Sequence, residues 1–299
     1  MTEGVVVRFL SAPRPSEVDV PNTRIQDRFA QVAADGRGAL LPYFTSGFPV
    51  PEVTEALIRR ADELGVAAVE IGVPYSDSIA DGPVIQESFH DVLQRGYRLS
   101  DTFELVARVR SAVECGLIAM LSYSIVHRVG TDAFFARAAA AGFDGVIIPD
   151  VPLEEATGVS KAAQDAGLCF IGLVAPTTSP QRRARIAQTS SGFIYQIAVS
   201  GTTGERSEGS DSVKDAVDEL RRISRLPVCV GFGVSSAAQV RAVCGFADGA
   251  IVGSAIVRRL ADAKRGGATP TEMVESVSGF LAELTRAASG RGDTAQDPA

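Results

Sequence analysis

Short apolar runs rich in β-branched residues alternate with amphipathic stretches eight times between residues 39 and 286, and few folds accept that order. Strands are expected at 39–45, 67–73, 117–122, 145–148, 168–174, 192–199, 226–230 and 249–252. Helical spacing of apolar residues predicts helices over 51–64, 102–113, 131–141, 154–166, 182–188, 212–223, 236–243 and 255–286, the last interrupted at Gly266-Gly267. A further helix opens the pattern, capped by Asn22 or Thr23, with Ile25, Phe29 and Val32 on one face. Strands separated by helices pair in parallel, and eight such units close a (β/α)8 TIM barrel, here an α/β fold with an additional N-terminal helix. The competing doubly wound sheet normally shows Gly-x-Gly-x-x-Gly after its first strand, and Thr45-Ser46-Gly47-Phe48-Pro49 is not that turn. One catalytic domain is therefore expected over 22–287. It is flanked by a flexible extension, 1–21, and a disordered tail, 288–299, rich in Gly, Asp and small residues.

Composition narrows the partners. At 299 residues and 45% hydrophobic content the chain has material for a large core. A net charge of -7, with no basic cluster interleaved with aromatics, argues against nucleic acid. Cys115, Cys169, Cys229 and Cys244 are far apart and form no Cys-x-x-Cys pair, so neither a metal site nor a disulfide framework is expected. No apolar run reaches membrane-spanning length, and the N-terminus lacks a basic start followed by a long apolar stretch; the expectation is a soluble cytoplasmic protein.

In a barrel of this kind the strand carboxyl ends and the loops after them form the active face. Two acids fall there in different surroundings: Glu70 inside the second strand, and Asp81 in the Gly/Pro-bounded loop that follows. Such a pair is what general acid/base chemistry requires, although an acid at a barrel rim also serves simply to pair a neighbouring cation. Small-residue turns after strands seven and eight, Gly231-Phe232-Gly233 and Gly253-Ser254, allow backbone N–H groups to approach an anion. Ser200 to Ser212 holds glycines, hydroxyls and charges with hardly any apolar anchor, and reads as a lid. His90 and His127 belong to no motif and are expected at the surface.

Five ordered motifs resemble the tryptophan synthase α subunit family and related indole-3-glycerol-phosphate lyases. They are Glu70-Ile71-Gly72-Val73-Pro74-Tyr75-Ser76-Asp77 continuing through Ala80-Asp81-Gly82-Pro83 to Gln86, Pro149-Asp150-Val151-Pro152, Ser200-Gly201-Thr202-Thr203-Gly204, Gly231-Phe232-Gly233-Val234-Ser235 and Gly253-Ser254-Ala255-Ile256-Val257. The resemblance implies retro-aldol cleavage of indole-3-glycerol phosphate to indole and glyceraldehyde 3-phosphate, with no cofactor and no metal. It implies Glu70 as the acid/base residue and Asp81 as the carboxylate that accepts the indole N–H. It also implies Tyr43 and Tyr195 in the substrate pocket, Thr203 on the lid, and Gly204, Gly233, Gly253 and Ser254 around the phosphate.

The chain departs from the family pattern at Phe48, where an acid is usual, at Ser78, where proline is usual, and at Ser124, where asparagine is usual. The resemblance sets these positions on or beside the surface that meets a tryptophan synthase β chain. A stand-alone or specialised lyase is therefore expected. The alternatives are a conventional α subunit that needs a β chain, and a non-catalytic regulatory partner of one. An isomerase of histidine biosynthesis would carry its acids on strands one and five rather than on strand two and its loop.

Overall fold

In a computed structural model of the chain, residues 24–78, 81–198 and 208–289 are described. Eight parallel strands, β1 (Ala39–Thr45), β2 (Ala68–Gly72), β3 (Gly116–Met120), β4 (Gly145–Ile147), β5 (Cys169–Val174), β6 (Ile194–Ile197), β7 (Val228–Gly231) and β8 (Gly249–Val252), pair in sequence order, and β8 returns to β1 to close a barrel. The expected alternation is present at every strand. It works because the strands are buried on both faces, so apolar residues occupy both rather than alternating with polar ones, Glu70 in β2 being an exception.

Helix α1 (Arg24–Ala34) precedes the barrel, and its apolar face is the plug that closes the amino end. Ile25, Phe29 and Val32 join one buried cluster with the inward residues Leu41, Ile118, Ile147, Ile171, Phe193 and Ile251. Glycines at strand starts make room for it. A Cβ on Gly116 would sit 2.6 Å from Ile25 Cγ1, and one on Gly145 would sit 3.0 Å from Ile25 Cδ1. Beside the plug, Asp144 accepts hydrogen bonds from Arg110 Nη1 (2.7 Å), Arg24 Nη1 (3.1 Å) and the Leu117 amide (2.8 Å), tying α1 and the fourth helix to the starts of β3 and β4.

The outer layer comprises α2 (Pro51–Glu63), α3 (Pro83–Gln94), α4 (Leu99–Arg110), α5 (Tyr123–Val129), α6 (Thr131–Ala141), α7 (Leu153–Asp165), α8 (Pro180–Thr189), α9 (Glu208–Ile223), α10 (Ala237–Cys244), α11 (Ser254–Arg265) and α12 (Pro270–Ala288). The break expected at Gly266-Gly267 separates α11 from α12. Gly267 takes φ +76°, and Thr269 and Glu272 then form a reciprocal capping box that restarts the helix. α12 runs past the predicted end at 286, with Ala287 and Ala288 both buried. Two helices were not expected. α3 follows directly on the Gly/Pro loop, with Pro83 at its first turn and Ile85, Phe89 and Val92 buried at helical spacing. α5 is a seven-residue turn of helix, begun by Ser122, whose hydroxyl accepts from the Ser124 amide. His90 and His127 are exposed as expected, but they lie on these two helices rather than in loops. The extension 1–21, most of the tail, and the lid residues Thr203 and Gly204 lie outside the described residues. Among the described residues no helix is long and apolar enough to cross a membrane.

Candidate active site at the carboxyl end of the barrel

Glu70 is 1% exposed, and among the described residues its Oε1 has no hydrogen-bond partner. Desolvation raises its pKa from 4.5 to about 8, so the side chain holds its proton at neutral pH. Tyr43 is its register partner on β1, also buried, with an Oη that likewise lacks a hydrogen-bond partner. Burial pushes the Tyr43 phenol well above its ordinary pKa. The charge of Asp81 and, further down in size, that of Glu70 add to the rise, while the Thr45 hydroxyl partly offsets it. Both acids therefore act on one phenol. Each unmatched buried polar atom costs about 1–3 kcal/mol, so two on adjacent paired residues mark a position built for something other than stability.

Two glycines allow the tyrosines to lie as they do. A Cβ on Gly72 would stand 1.9 Å from Tyr43 Oη, and one on Gly231 would stand 2.3 Å from Tyr195 Oη. Each ring thus leans over a glycine at the end of the next strand, β2 or β7. Tyr195 is buried, its pKa is raised by desolvation and then by the charge of Glu70, and its ring packs 5.8 Å from that of Phe232. A Gly72→Ala enzyme is expected to displace the Tyr43 ring, lowering kcat/KM at least about tenfold and stability by about 1–3 kcal/mol. Steady-state kinetics and urea denaturation check both values.

Asp81 is half-buried in the β2–α3 loop. Desolvation raises its pKa, the Tyr75 hydroxyl opposes this by donating to Oδ2 at 3.2 Å, and the charge of Asp150 adds to the rise. Gln86 braces the loop, its Nε2 donating to Ser78 O (3.0 Å) and Asp81 O (2.8 Å). Asp150, beyond β4, accepts from Ser122 Oγ and the Tyr123 amide, both at 2.7 Å. Tyr75, Gln86 and Asp150 stand in the sequence motifs without roles; only the folded loop shows what they hold. A groove of about 780 Å³ along this loop and α3, lined by Tyr75, Asp77, Ser78, Gln86, His90 and Gln94 among others, contains neither acid.

The turns after β7 and β8 differ in what they leave free. Ser236 caps α10 by accepting from the Gln239 amide, and Gln239 Oε1 accepts from the Ser235 amide, so that helix start is internally satisfied. α11 begins at Gly253 with no side-chain cap, and the Ile256 and Val257 amides both go to Gly253 O. The Ser254 and Ala255 amides belong to the helical turn that has no carbonyl to reach. In the β7 turn Phe232 adopts φ +67°, rare for a bulky residue, and Gly233 follows at +90°.

Of the three departures, only Ser124 is exposed. Phe48 is 4% exposed, beneath a Lys264 ammonium 5.7 Å from its ring, and Ser78 is 6% exposed. Both side chains are thus largely withdrawn from solvent, and neither by itself offers a partner much surface.

A closed parallel eight-stranded barrel with unmatched buried polar groups gathered at its carboxyl end has the architecture of a (β/α)8 barrel enzyme. Its sequence carries the more specific statement. A family model described as tryptophan synthase alpha chain matches residues 29–286, and this chain belongs to that family. It is 40% identical over 273 residues to the tryptophan synthase alpha chain of Rhodopirellula baltica, covering 89% of this chain and 98% of that one. With the Picosynechococcus tryptophan synthase alpha chain the identity is 41% over 266 residues, covering 89% and 99%. The crystal structure of the Legionella pneumophila tryptophan synthase alpha chain superposes with a TM-score of 0.82 at 31% identity, covering 91% of this chain and all of that one.

Proposed function

We propose that this chain is a carbon–carbon lyase that splits indole-3-glycerol phosphate into indole and glyceraldehyde 3-phosphate. The observation that carries the reading is Glu70, a carboxylic acid kept protonated at neutral pH by burial alone, beside two buried tyrosines. Its protonation state sets the order of events. Glu70 first gives its proton to indole C3, and the ring nitrogen takes up the positive charge. Asp81 accepts the ring N–H and balances that charge. The Glu70 carboxylate then takes the proton from the hydroxyl on the carbon attached to C3. The bond between that carbon and C3 breaks, its electron pair returns to the ring, and the oxygen becomes the aldehyde carbonyl. One proton has moved from oxygen to carbon, and Glu70 is again an acid.

The open amides of Ser254 and Ala255, with the Gly231-Phe232-Gly233 turn, suit the phosphate. Family membership makes a tryptophan synthase β chain the natural partner. The case for a stand-alone enzyme is weaker than the sequence suggests, because Phe48 and Ser78 are buried and Ser124 alone remains on the surface. A cytoplasmic location fits a chain whose four cysteines are all buried. The test is to incubate the purified chain with indole-3-glycerol phosphate, with and without a β chain, and follow indole. Indole formation that the β chain accelerates is the expected result. No indole under either condition refutes the lyase, and a rate indifferent to the β chain restores the stand-alone enzyme.

A further inference from the structure

Two buried polar atoms that lack partners among the described residues, Tyr43 Oη and Glu70 Oε1, sit on residues paired in register across β1 and β2. The Thr45 hydroxyl is near enough to offset part of the rise in the phenol's pKa but makes no hydrogen bond to it: it lies 2.7 Å from that of Ser88, which itself donates to Ile85 O at 2.7 Å. The Tyr43 side chain also spans the site. A Cβ on Gly253 would lie 3.3 Å from Tyr43 Cβ, so the stem stands beside the open start of α11. Its tip lies over Gly72, at the carboxyl end of the strand that carries Glu70. A substrate chain with phosphate at the α11 turn and its reacting carbon at Glu70 runs parallel to this ring. The phenol then falls beside the reacting end of that chain.

We propose that the Tyr43 hydroxyl is a catalytic hydrogen-bond donor to the substrate oxygen that becomes the aldehyde carbonyl. This rests on the cleavage proposed above and adds a residue to it. As Glu70 takes the hydroxyl proton and the carbon–carbon bond breaks, negative charge builds on that oxygen before the carbonyl forms. Tyr43 donates to it and keeps its own proton throughout, which its elevated pKa favours. No bond to Tyr43 forms or breaks. Among the described residues the hydroxyl has no partner, and in this scheme the substrate supplies one.

The test is Tyr43→Phe, assayed beside the wild type with indole-3-glycerol phosphate. The variant removes one oxygen and no ring volume, so it should fold with a Tm equal to or above that of wild type. Its kcat should fall about 10- to 100-fold with KM changed less than about threefold. The pH at which kcat/KM turns over in the free enzyme should stay where it is in wild type. Binding of an indole carrying a propanol phosphate chain, which has no hydroxyl at the reacting carbon, should be the same in both proteins by calorimetry. An unchanged kcat overturns the proposal and leaves Tyr43 as packing. A lower kcat with a displaced kcat/KM pH profile also overturns it, by showing that the phenol serves Glu70 rather than the substrate. A wild type that makes no indole, even with a β chain, refutes the lyase instead, a result separate from either.

Discussion

Glu70→Gln is expected to lower turnover about 10³-fold or more and, above pH 8, to unfold at a higher denaturant concentration than wild type. The first effect follows because one side chain acts as acid at carbon and as base at oxygen, and each proton transfer contributes about 10²–10⁴. The second follows from the cause of the raised pKa. Below pH 4.5 the carboxyl is protonated in both folded and unfolded chains, and Glu70 contributes nothing to the pH dependence. Between 4.5 and about 8 the folded protein keeps a proton that the unfolded chain releases, so wild-type stability falls as pH rises through this window and levels off above it. A rise from 4.5 to about 8 corresponds to at most roughly 4–5 kcal/mol. The amide does not titrate, yet its own unmatched atoms remain buried, so a gain of about 2–4 kcal/mol at pH 9 is expected. Urea denaturation at pH 5 and pH 9 separates the cases. A stability difference that does not grow with pH, or turnover within tenfold of wild type, contradicts the assignment.

At the other end of the barrel, Asp144→Ala is expected to cost about 3–5 kcal/mol, measured by the urea midpoint, while the folded fraction keeps its turnover. Asp144 is 6% exposed and accepts from two guanidinium groups and a backbone amide. Removing it leaves Arg110, itself largely enclosed, with its charge uncompensated, although the Cys115 carbonyl still accepts from it at 3.1 Å. It also leaves the Leu117 amide, at the start of β3, without its acceptor. Asp144→Asn can still accept from that amide and should lose less. Because the Arg110 pair is buried, added salt should change the difference little. A cost below 1 kcal/mol would show that the Asp144 cluster contributes little to holding the barrel's amino end together.

The barrel was legible because its strands are apolar on both faces and its helices show one apolar stripe, and those two periodicities do not resemble each other. Where a stronger local signal overlay the helical one, it was missed: Pro83 and Gly82 mark a turn, yet Pro83 also starts α3. The acids were legible as residue types, since a carboxylate inside the run 67–73 is out of character for a core strand. The pairing of Tyr43 with Gly72 and of Tyr195 with Gly231 was not. It depends on register and on which strand lies next door, and no single strand's sequence records either. Burial of Phe48 was hidden for a related reason: Gly47-Phe48-Pro49 looks like an exposed turn, but Lys264 of α11 lies over the ring and Arg95, just past α3, donates to Gly47 O.

The account depends on a proton residing on Glu70 at neutral pH. Carbon-detected NMR of the glutamate side chains, titrated from pH 4 to 10 and compared with Glu70→Gln to identify the resonance, measures that directly. One carboxyl titrating near 8 and absent from the variant is the predicted result. A Glu70 resonance titrating near 4.5 would mean that the acid is already ionised at neutral pH, and the proposed order of proton transfers would be wrong.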